Sequence, residues 1–93
     1  MQGLTEGRIV HYVLPDNDDE CRCPGEHRPA VVVKVWDDGY GYDDGVVNLQ
    51  VFTDYTNDYP RTSAKSYGQV WATSVDFDED EKLPGTWHWI ERA

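Results

Sequence analysis

Two groups of residues in this chain have the types and spacing to do chemistry. The first is Cys21, Cys23 and His27, a Cys-x-Cys-x3-His run between prolines. Thiolates and imidazoles bind zinc, but a structural zinc wants four ligands and no second cysteine or histidine pair follows. Only His11 or His88, brought in by folding, could complete such a site. A disulfide between positions two apart would be a strained ring, so two free thiols are expected. Nor does Cys21 or Cys23 with His27 make a good nucleophile–base pair, because nearby carboxylates raise a thiol's pKa. No catalytic residue, no metal ligand and no cofactor is therefore expected, and the chain is not expected to be an enzyme.

The second group is the window from Tyr59 to Val75. It contains Arg61 and Lys65 and none of the chain's eighteen carboxylates, and it is rich in hydroxyls. Arginine, lysine, hydroxyls and backbone N–H groups are what phosphate recognition uses. Aromatic faces add about 1–3 kcal/mol for each stacked base. The expected ligand set is Arg61, Lys65 and Ser63 toward phosphate, with Tyr55, Tyr59, Tyr67 and Trp71 as base platforms. The competing expectation is a plain polar loop with two solubilising cations.

Other charged runs give less. Asp16 to Glu20 lacks the alternating ligands, central glycine and distal glutamate of a calcium loop. The carboxylates of Asp76 to Glu81 read as a solvated face. Gly39-x-Gly41 is flanked by aspartates, which repel phosphate, and no Walker-type loop is present. A formal net charge of −10 argues against general nucleic-acid binding and suits a basic partner. No apolar run approaches the ~20 residues of a membrane span. The first residues lack the basic and apolar regions of a secretory signal. A cytoplasmic protein with no membrane association is expected.

These groups must be positioned by strands. Ala30 to Trp36, with four valines and a tryptophan, is the central one, bounded by Pro29 and by Asp37-Asp38-Gly39. The interruption at Lys34 predicts Val31, Val33 and Val35 inward. Gly7 to Leu14 is the first strand, with Val10, Tyr12 and Leu14 inward and His11 on the more exposed side. Residues 15–29 and 53–68 are long loops. Val46 to Phe52 pairs antiparallel with the central strand and points Val47, Leu49 and Val51 inward. Gln69 to Val75 is the fourth strand. Thr86 to Glu91 is the fifth, with Trp87 and Trp89 on one side and His88 and Ile90 on the other. Five short strands without a helical period predict a single all-β domain over residues 1–93, a small antiparallel barrel with long loops.

The Gly7-Arg8-Ile9-Val10-His11-Tyr12 opening and the strand count resemble SH3-like barrels, with an OB-like barrel as the alternative. That opening, together with Glu26 to Ala30, Val47 to Asp54 and Pro84 to Trp89, resembles a group of small phage and prophage accessory proteins. The cysteine loop and Tyr55 to Gly68 depart from that group. The resemblance implies a counter-defence or minor virion role in an infected bacterial host's cytoplasm. Combined with the Tyr59–Val75 window, it leads to an expected function: a non-enzymatic protein that sequesters a small nucleotide-like immune signal. A homo-oligomer is expected, since a barrel this small has little room for an internal ligand. The alternative is an acidic protein-interaction module, either an inhibitor of a basic host protein or a virion component.

Overall fold

Runs of β-branched and aromatic residues form five strands in the computed structural model, which describes residues 1–91. They are β1 (Ile9–Val13), β2 (His27–Val35), β3 (Val47–Phe52), β4 (Gln69–Val75) and β5 (Trp87–His88). A single helical turn, α1 (Tyr55–Asp58), sits in the connection between β3 and β4. The strands make one antiparallel sheet in the order β4-β3-β2-β1-β5. The sheet curls until Phe77, just past β4, bridges Trp87 of β5. There Trp87 N–H donates to the Asp76 carbonyl and Asp78 N–H to the Trp87 carbonyl, each at 2.9 Å. The edges meet at that one bridge and not along a ladder, so the small five-stranded all-β fold is an open barrel. Among the described residues no helix is long and apolar enough to cross a membrane.

The concave face holds the core. Val10, Tyr12 and Leu14 are buried there as the alternation predicts, and so are Val47, Leu49 and Val51. Trp87 is fully buried and its indole N–H donates to the Gly45 carbonyl at 2.6 Å. A buried indole needs such an acceptor. Gly45 has to be glycine: its φ is +83°, and a Cβ would stand 2.8 Å from both Met1 and Phe77. Trp87 and Trp89 share a side, as expected, and meet edge to face with ring centres 5.1 Å apart.

The sheet departs from expectation in β2. Val31, Val33 and Val35 are not the inward set. Ala30 and Val32 are buried, Val33 is 46% exposed, and only Val35 of the expected three packs against the core. The cause is a β-bulge: Val32 pairs with Leu49 and Lys34 with Asn48, which leaves Val33 unpaired. One extra residue inverts the inside–outside alternation downstream. β2 also starts earlier than expected, taking in His27, Arg28 and Pro29 from the supposed loop. Pro29 is tolerated because the β3 ladder begins only at Ala30, so no bond on that side is lost. β5 is two residues long, shorter than the expected Thr86 to Glu91.

Candidate functional site

The long connections flanking the sheet are fastened together by one buried ion pair. Asp58, at the end of α1, has no solvent exposure. Arg28 of β2 grips it through Nε at 2.7 Å and Nη2 at 2.8 Å. Asp54 N–H donates to the same carboxylate at 2.7 Å, and Arg22 N–H donates to the Asp58 carbonyl at 2.8 Å. The Arg28 guanidinium, more than any other group, holds the Asp58 carboxyl below the usual range. This knot brings the loop after β1 against the connection before β4.

Between them lies a cleft of about 630 Å³, with β4 as one wall. Tyr59 forms part of its lining while being almost wholly enclosed. Burial, with the neighbouring Cys21 and Asp18, pushes its phenol pKa well up, and its hydroxyl has no hydrogen-bond partner. Lys65 Nζ pairs with Asp18 and lies 5.6 Å from the centre of the Tyr59 ring. That bond is the main reason the Asp18 carboxyl is shifted down. Asp18, Asp19 and Glu20 all line the cleft, as does Trp71, which is about half exposed.

Of the seven residues expected to bind a ligand, the structure therefore gathers Tyr59, Lys65 and Trp71 in one cleft. It does not bring the other four to it. Ser63 is buried, and its hydroxyl accepts the Lys65 N–H at 3.1 Å, which shapes the turn. Arg61, Tyr55 and Tyr67 are exposed outside the cleft lining. The acidic part of the lining is not legible in the Tyr59–Val75 window, because Asp18 lies 47 positions before Lys65 in the chain. Of the cysteines, Cys21 neighbours Tyr59 of the cleft lining, and Cys23 lies against α1. Cys23 donates weakly to the Asn57 carbonyl at 3.5 Å, and burial, then Asp58, raises its thiol pKa.

A second convergence lies at the other edge of the sheet. All three histidines, His11, His27 and His88, reach the carboxylate of Glu91. The positions of His11 and His88 off the core face were legible in the sequence; the pairing of β1 with β5, which sets them opposite each other, was not.

Comparison with protein-family models, with curated proteins and with solved structures finds no match to this chain.

Proposed function

We propose that the protein is a non-enzymatic binding module that takes a cationic side chain of a basic protein partner into the cleft beside β4. The observation that carries this is the composition of the cleft, whose lining includes Asp18, Asp19 and Glu20 together with Trp71. Lys65, the cation that lines it, is already neutralised by Asp18. A lysine or arginine entering there meets two further carboxylates and an open indole face, a combination favouring cations. The net charge of −10 supports the same direction by drawing a basic partner in at long range. In the phage setting that the sequence resemblance suggests, such a module would act as an inhibitor of a basic host protein.

The nucleotide-sequestering role stands second, favoured by the meeting of Tyr59, Lys65 and Trp71 in one cleft. An incoming phosphate would have to displace Asp18 from Lys65 and face Asp19 and Glu20. A second copy of the chain, covering the exposed Tyr55 and Tyr67, would be needed to supply more of the site.

Fluorescence anisotropy of a labelled oligo-lysine peptide, with a nucleotide panel as competitor, separates the two. Binding of the peptide that weakens at least about tenfold in Asp19→Asn/Glu20→Gln and in Trp71→Ala, and is unchanged in Arg61→Ala, is the expected result. Nucleotide binding that displaces the peptide and is abolished by Lys65→Ala would overturn the first role in favour of the second. Binding of neither probe would overturn both.

A further inference from the structure

His11, His27 and His88 come from three different strands and converge on one atom. His88 Nε2 lies 2.6 Å from Glu91 Oε1, His27 Nδ1 bonds the same oxygen, and His11 Nδ1 is 3.4 Å from it. The topology makes the meeting: His11 stands opposite His88 across β1 and β5, while His27 of β2 lies diagonally across from His11. The rings are close, with His88 centred 4.7 Å from His27 and 5.7 Å from His11, each pair edge to face.

As a hydrogen-bond network this arrangement is poor. A carboxylate oxygen offers about two lone pairs, and here three ring nitrogens crowd one such oxygen. Glu91 N–H lies 3.5 Å from His11 Nδ1, and the same nitrogen lies 3.4 Å from Glu91 Oε1, so it stands between a donor and an acceptor and either tautomer satisfies only one of them. His88 adds a further sign. It is wholly buried, its Nδ1 has no partner, and all its polar contact is made by the Nε2 aimed into the cluster. Burying an imidazole for one bond to a shared oxygen is costly. Coordination through Nε2 would strengthen that one contact, while fixing the proton on Nδ1, which has no acceptor in the structure.

We propose that His11, His88 and the Glu91 carboxylate, whose donor atoms lie within 4.8 Å of one another, bind one divalent transition-metal ion of the zinc class, with His27 Nδ1, bonded to the same carboxylate, moving in as the fourth ligand. Three imidazoles and a carboxylate are borderline donors suited to such an ion and poorly suited to calcium or magnesium. Four protein ligands make a closed, structural site, in which the nitrogens stand about 2.0–2.1 Å from the metal. Its task follows from the fold. β5 has only two residues in the ladder, so the segment past it, from Trp89 to Glu91, is weakly held by backbone bonds. An ion joining β1, β2 and β5 would staple it to the sheet. The site is separate from the cleft beside β4 and independent of what that cleft binds.

The test uses the full chain stripped with chelator and dialysed, then titrated with zinc chloride by calorimetry and followed by thermal melting. One ion per chain is expected, with a rise in Tm at saturating zinc. His11→Gln and His27→Gln, both on partly exposed residues that need not disturb the core, should each weaken zinc binding at least about tenfold. Glu91→Gln should do the same, while Cys21→Ser/Cys23→Ser should bind zinc as the parent does. Cobalt(II), substituted for zinc, should give the visible absorption of a tetrahedral nitrogen–oxygen site without a thiolate charge-transfer band. Absence of stoichiometric binding, retention of parent affinity in both His11→Gln and His27→Gln, or loss of binding in the cysteine variant would each overturn the proposal.

Discussion

Asp58 is a carboxylate with no solvent contact, and Arg28 is what makes that sustainable. Removing one partner of a buried, hydrogen-bonded pair leaves the other uncompensated, at a cost of about 3–5 kcal/mol. Asp58→Ala should lose about that much in urea unfolding. The double variant Arg28→Met/Asp58→Leu should lose clearly less than the sum of the single changes, because it leaves no orphaned charge. The pair also sets a pH dependence. The Arg28 hydrogen bonds depress the folded-state pKa of Asp58, so below the ordinary carboxylate value of about 4 the unfolded chain binds the proton first. The stabilisation is thus complete above that value and drains away as pH falls through the folded pKa. Unfolding followed between about pH 2 and pH 6 should show this loss in the parent and a shallower slope in Asp58→Ala. None of this could be read in the sequence, where Asp58 is one of eighteen acids and its partner lies thirty positions earlier. Residue type reports charge; pairing across a fold does not show until the fold is known.

The strands themselves were far more legible than their faces. Gln69–Val75 begins and ends where its composition says, and Val47, Leu49 and Val51 are the buried set that strict alternation demands. β2 shows the limit. Its apolar residues are nearly continuous, as in a central strand covered on much of both faces, so Lys34 was the only phase marker available. The bulge at Val33 places that marker on the far side of a phase change. Two substitutions of the same kind test the assignment. Val32→Thr buries a hydroxyl without an assured partner and should cost about 1–3 kcal/mol. Val33→Thr puts the same hydroxyl into solvent and should stay within about 0.5 kcal/mol of the parent. The reverse order, measured by urea denaturation, would mean that β2 runs without a bulge and that Val31, Val33 and Val35 face the core after all.

At the scale of the whole molecule, charge is the property with the widest consequences. The order of the strands could be partly foreseen from short connections, but the bridge from Phe77 to Trp87 and the meeting of loop 15–26 with residues 53–68 join distant segments. Those meetings draw the acidic loop 15–26 and the acidic run after β4 onto one small sheet. Folding therefore concentrates a net charge of −10, and self-repulsion opposes the compact state. Exposed pairs such as Lys82 with Glu79, at 3.5 Å, offset little of this. The screening length falls from about 30 Å at 0.01 M salt to about 10 Å at 0.1 M. Since this span brackets the distances between charges on a domain of this size, Tm should rise over that range. The Arg28–Asp58 pair, being shielded from solvent, should barely respond. Affinity for a basic peptide should move the other way and fall with added salt, because that attraction is screened by the same ions. The two titrations, run on one sample of chelator-treated protein, give opposite slopes if net repulsion and an acidic binding face are both real. A Tm that falls with salt would mean that favourable surface pairs outweigh the repulsion. A peptide affinity indifferent to salt would remove the electrostatic basis of the cleft's proposed role.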